Sequence, residues 1–164
     1  MLVLGVDPGP EETAWLLLEG DGIMSFAKES NAVLLDRFNG GPGSFADTIV
    51  GAAALWKPDH MAIEMIASYG MAVGKTVFDT CVWIGRFIQA WGGTKYTQVY
   101  RKQVALHLCQ SPRANDSNVR AALIDKFGTP GTKRNQGKTY GISKDIWSAL
   151  AIAVTYAEAI HGQP

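Results

Sequence analysis

The first thirty residues constrain the fold most. Three apolar runs, "LVLGV" (2–6), "TAWLLLEGDG" (13–22) and "IMSFAKE" (23–29), are separated by a Pro-Gly pair and an Asp-Gly turn. Short apolar runs bounded by turn formers are strands, and links this short leave an antiparallel meander as the simplest pairing. The rest of the chain alternates. "SFADTIVGAAALW" has helical spacing, starts near Ser44 or Phe45 after the cluster "NGGPGS", and stops before Pro58. "HMAIEMI" is a fourth strand. From Val73 to Trp91 the positions Val73, Val77, Phe78, Cys81, Ile84, Phe87 and Ile88 recur at helical intervals, and Gly92-Gly93 ends the run. "KYTQVY" is a fifth strand and "RKQVALHLC" a short helix. "ANDSNVRAALIDKF" is a helix capped by Asn115 or Asp116 and stopped by Gly128. A glycine-rich basic loop fills 128–143, after which Ser143 is expected to cap a last helix from Lys144 to about His161. A meander followed by alternating helices and strands predicts an α/β fold with helices packed on a mixed sheet.

At 164 residues with 47% hydrophobic content, the chain is expected to form a single domain over 1–164. Its apolar runs, such as "WLLL" and "ALAIAV", fall far short of the roughly 20 residues that span a bilayer, so it reads as a cytoplasmic protein without a membrane partner. Cys81 and Cys109 form no CxxC pair and read as buried small hydrophobes. His60, His107 and His161 are too scattered for a zinc signature. The net charge is zero, but residues 1–72 carry −7 and residues 73–164 carry +7. Such a division lets one surface face a polyanion while the whole stays neutral; interleaving of the halves on folding is the equal alternative.

Strand parity places the chemistry. Val3, Gly5 and Asp7 share one face of the first strand, and Ala62, Glu64 and Ile66 share one face of the fourth. Each strand is apolar except for one acid near its carboxyl end. A buried carboxylate is costly unless paired or bound to a cation, so two at matching depth predict a shared ion. Magnesium is the expected ion, because a hard divalent cation takes oxygen ligands and keeps several waters. Two such ions, the number expected per site, can activate a water and stabilise the leaving oxygen in phosphodiester cleavage. Asp145, in the first turn of the last helix, is the third candidate carboxylate. Each acid has a plainer reading: Asp7 as a turn former, Glu64 as a lysine's partner, and Asp145 as an acid favoured by the helix dipole.

"LGVDPG" at the amino terminus, "AIEM" some sixty residues later, then "YRKQV", "ANDSNV" and "DIWSALAIAVTYA" together resemble the RuvC family of Holliday junction resolvases. The resemblance covers nearly the whole chain. It implies a ribonuclease H-like fold with a five-stranded sheet between helices, a homodimer, and magnesium-dependent paired nicking of four-way DNA junctions, with manganese able to substitute. It also implies a bacterial cell or a phage-infected host as the setting. Carried onto this chain, Asp7 and Glu64 match the first two catalytic acids. The family places two ligands three apart in the last helix, and these fall on Asp145 and Ser148. Serine is a weaker, neutral ligand, so Asp145 is expected to supply the third carboxylate and Ser148 at most a water-mediated contact.

In this reading the junction is recognised by shape, with basic side chains on phosphates. In the loop after Glu64, where the family carries an aromatic residue, Ala67 is the closest match and Tyr69 or Met71 is the expected wedge. Lys75, Arg101, Lys102, Arg113, Lys133, Arg134 and Lys138 are the expected phosphate contacts, taken from loops and helix starts in the basic half. Two alternatives share the acids: a junction-binding protein with weakened catalysis, motivated by Ser148, and a ribonuclease H-like enzyme on hybrids or other branched nucleic acids. A third rival, a P-loop, needs four residues between its glycines, whereas Gly70 and Gly74 enclose three, so no nucleotide cofactor is expected. The large apolar residues Phe78, Trp83 and Phe87 on the long helix point to a two-fold contact or to burial on several sides.

Overall fold

The computed structural model describes residues 1–38, 57–93 and 95–161. The predicted helix 44–56 and the glycine cluster before it lie outside these residues. The opening meander is present: β1 (Leu2–Pro8), β2 (Glu12–Glu19) and β3 (Gly22–Ser30) pair antiparallel in sequence. β4 (His60–Met65) then joins the free side of β1 in parallel, and β5 (Tyr96–Tyr100) joins β4 in parallel, giving the order β3-β2-β1-β4-β5.

The strands alternate between two cores. Val3, Ala14, Leu16, Leu18 and Ala62 pack on one face, whereas Leu2, Leu4, Val6, Trp15, Leu17, Met61 and Ile63 pack on the other. Both faces are apolar, so both require helices. On the second face lie α1 (Asn31–Phe38), through Leu34, and α2 (Lys75–Ala90), through Ile84 and Phe87. The first face receives α3 (Arg101–Cys109), α4 (Asp116–Phe127) and α5 (Asp145–Thr155). α5 is buried nearly all round, which its run "ALAIAV" requires.

Several elements differ from the sequence reading. α1 was not foreseen; it follows β3 without a glycine or proline break, and its buried Asn31 starts it. The basic loop contains a small hairpin, β6 (Gly131–Thr132) and β7 (Asn135–Gln136). Ser143 does not cap α5. Lys144 holds the cap position at φ +43°, without a side-chain hydrogen bond, and the Ser143 and Lys144 carbonyls accept from Ile146 and Trp147. After Thr155 the helix widens into a π-helical turn at Tyr156–Ile160. Cys81 and Cys109 are free and half-buried. No helix of the described residues is long and apolar enough to cross a membrane.

Candidate active site

Parallel pairing sets the acids. The β1–β4 ladder runs through Gly5–Ala62 to Val6–Ile63, so Asp7 and Glu64 are the next residues on the two strands. Their parity sends both side chains to the α5 face. The Glu64 carboxyl and, from α5, the Ser148 hydroxyl both act on the Asp7 carboxyl at close range. The helix can supply this contact because Gly5 lets it lie close: a Cβ there would stand 2.2 Å from the Ala149 carbonyl oxygen and 2.9 Å from the Ala153 Cβ. Gly5 therefore does more than clear the strand beside Asp7, since it fixes the height of α5 over β1.

Burial is the main influence on Asp7 and lifts its carboxyl to about 9; the hydrogen bond and charge of Glu64, and then the charge of Asp145, act in the same direction. Ser148 opposes them by hydrogen bonding that favours the charged form. Without a cation, the pair therefore holds a proton near neutral pH. Asp145 is half exposed and ion-paired, with Oδ2 2.8 Å from Lys28 Nζ on β3. Lys28 also reaches Glu12 at 3.2 Å, and both partners hold its ammonium above the usual lysine range.

Asn31 fixes the turn after Asp7. It accepts from the Thr13 hydroxyl at 2.6 Å and donates to the Gly9 carbonyl at 3.0 Å, so the Pro8–Glu11 turn is tied to the end of β3. Two clefts flank the acids. One, of about 370 Å³, is lined by Pro8, Glu64, Ala67, Tyr69, Thr76 and Arg101. The other, of about 310 Å³, is lined by Asp116, Arg120, Lys144, Asp145, Trp147 and Ser148. Glu64 and Arg101 on the first, and Asp116 and Ser148 on the second, also line a smaller pocket.

The donor set is entirely oxygen. Among the described residues no three His, Cys, Asp or Glu side chains converge closely enough to hold an ion. The carboxylates that meet are Asp7 and Glu64, with Ser148 beside them. Two carboxylates and a hydroxyl suit a magnesium ion that keeps most of its waters and takes its remaining ligands from phosphate.

The expected phosphate contacts separate into two groups. Arg101 is on the cleft wall, paired with Asp116, and the Asp7 and Glu64 charges raise its pKa further. Lys102 Nζ lies 3.6 Å from the centre of the Tyr69 ring, and Tyr69 itself sits at φ +48° on the cleft rim. Met71 in the same loop is 72% exposed. Lys75 opens α2 beside Thr76 and pairs with Asp79. Arg113 is exposed in the turn before α4. The hairpin residues are elsewhere. α4 begins at Asp116 beside the acids, and its 12 residues carry the chain about 18 Å along its axis. Lys138 pairs with Asp21 in the β2–β3 turn, at the opposite end of β1 from Asp7. Lys133 and Arg134, both exposed, lie between the two hairpin strands.

Lys28, Glu12, Asn31, Arg120 and Lys144 were not among the residues singled out in the sequence. Lys28 had a signal. It is one of three bases in the acidic half, and the tight β2–β3 turn puts it in register with Ala14 and hence with Asp7.

No family model and no curated protein matches the chain. Among solved structures, a Thermus thermophilus RuvC structure superposes with a TM-score of 0.68 at 17% identity, covering 96% of this chain and 93% of that one. T. thermophilus RuvC in complex with Holliday junction substrate gives 0.69 at 16% identity over the same shares. These matches and the five-stranded mixed sheet give the chain a ribonuclease H-like α/β fold.

Proposed function

We propose that this chain is a structure-selective endonuclease that cleaves four-way DNA junctions by metal-dependent phosphodiester hydrolysis. The observation that carries the reading is the meeting of Asp7 and Glu64 at the carboxyl ends of two parallel strands, between two open clefts, on a fold shared with a protein whose complex holds Holliday junction substrate.

Asp7 and Glu64 would hold magnesium, with Ser148 orienting Asp7 and Asp145 facing the second cleft. When bound, the ion would polarise the scissile phosphate and lower the pKa of the attacking water. Arg101, with its rigid fork of donors on the cleft wall, clamps a phosphate oxygen of the strand to be cut. Tyr69 and Met71 stand at the rim as the wedge at an open branch point, and Lys102 braces the Tyr69 ring. Paired nicks require two such sites. The outward face of α2 offers a two-fold contact through Phe78 and Val82, each 61% exposed, and a mass measurement in solution tests it.

A second reading, a junction-binding protein with weakened catalysis, is favoured by Ser148 in place of an acid and by the closure of Asp145 onto Lys28. One panel separates the readings: four-way junctions, flaps, linear duplex and an RNA/DNA hybrid, each with and without magnesium. Selective nicking of the junction supports resolution. Tight junction binding without nicking in magnesium or manganese supports the second reading, and cleavage of the hybrid alone contradicts both.

A further inference from the structure

The row of side chains at the height of Asp7 extends beyond the acids. Asp7 on β1 pairs with Ala14 on β2, and Ala14 pairs with Lys28 on β3. Directly opposed residues point to the same face, so Lys28 leaves the sheet on the α5 side, level with the Asp7–Glu64 pair. Its ammonium bridges Asp145 Oδ2 at 2.8 Å and Glu12 Oε2 at 3.2 Å. Its side chain is 35% exposed, and an ammonium has three donors, so one remains for an incoming oxygen. One helical turn beyond Asp145, facing the same cleft, the chain has Ser148, which acts on Asp7. The cluster thus divides into an all-oxygen half, Asp7, Glu64 and Ser148, and a half already carrying a fixed cation, Asp145, Lys28 and Glu12.

We propose that Lys28 is a catalytic residue that supplies the second positive charge of the site: one divalent ion binds at Asp7 and Glu64, and the Lys28 ammonium on Asp145 stands in for a second. This rests on the metal-dependent nuclease reading above. Two-ion sites bring their cations to within about 4 Å of each other, which demands several shared carboxylates. Here Ser148 offers only a hydroxyl, Asp145 is ion-paired with Lys28, and a divalent ion added beside the ammonium would be repelled at short range. A lysine ammonium is a compact charge that can hold a phosphate oxygen, so the substitution keeps a positive charge on the transferring group.

Manganese counted by calorimetry and electron paramagnetic resonance on the full chain tests this. The wild type should bind a single ion. Lys28→Met, and Lys28→Gln as a neutral variant that stays polar, should each acquire a second, and Lys28→Arg should not. Two ions on the wild type, none on it, or an unchanged count in both neutral variants overturns the proposal. A two-ion wild type that nicks junctions leaves the nuclease reading intact. A one-ion wild type that gains a second ion in the neutral variants, but cleaves no nucleic acid, sustains the charge substitution and removes the nuclease reading.

Discussion

Asp7 and Glu64 stand one residue past the last pair of the β1–β4 ladder, side by side, with Asp7 raised to about 9 by burial first and by Glu64 second. The arrangement is unfavourable for two carboxylates alone and favourable for a cation placed between them.

The stability of the metal-free chain should therefore fall as pH rises. Asp7 has a raised folded pKa, so between its ordinary value of 3.8 and about 9 the native state keeps a proton that the unfolded state has released. Its contribution is fully present below that lower value and is lost as pH rises through the folded one. The slope is at most about 1.4 kcal/mol per pH unit for a single proton. Urea unfolding across this window should give a falling curve for the wild type and a flatter, higher one for Asp7→Asn. Identical slopes would argue against the shared proton.

Ser148 favours the charged form of Asp7, so Ser148→Ala should make the ion harder to bind near neutral pH. Magnesium affinity, measured by calorimetry against pH, should shift towards alkaline values in the variant. Proton release on binding should be seen in both proteins as a heat that depends on the buffer. An unshifted profile would mean that the hydroxyl does not act on Asp7.

Gly5→Ala should damage the site without touching an acid. The added Cβ meets the Ala149 carbonyl oxygen and forces α5, with Ser148 and Asp145, away from β1. Overpacking of this kind destabilises by about 1–3 kcal/mol. A displacement near 1 Å costs on the order of 10²-fold in rate. Thermal unfolding and single-turnover cleavage should both report the change; a stable variant with full activity would show that α5 can move without consequence.

Much of this site was legible because strands enforce parity. "LVLGVD" and "MAIE" carry one acid each on a defined face, and the mixed sheet follows from an opening meander and later crossovers. Lys28 was missed because its place depends on β2–β3 register, in which the ladder also shifts at Leu17/Leu18. Ser143 was misread because the backbone turns sharply at Lys144, and no local pattern announces a positive φ at lysine. The separation of the hairpin bases from the acids depends on the direction of α4, which sequence spacing does not contain.

That separation should appear in DNA binding. Lys102→Ala and Arg101→Ala should weaken junction binding and lower the slope of log affinity against log salt by about 0.9 per lost phosphate contact. Arg101→Ala should also slow cleavage, because Arg101 lines the cleft with Glu64. Lys133→Ala combined with Arg134→Ala should change cleavage less than either. Titrations at several salt concentrations decide this, and a larger loss from the hairpin pair would place the DNA path across the far end of the sheet.

The central claim is that Asp7 and Glu64 form a metal-dependent junction-cutting site. The most direct test is a single synthetic four-way junction with magnesium, cut by the wild type and by Asp7→Asn while binding is followed in parallel. The account predicts nicks on opposed strands by the wild type, and undiminished binding with no nicks by the variant. Nicking by Asp7→Asn at the wild-type rate would contradict it.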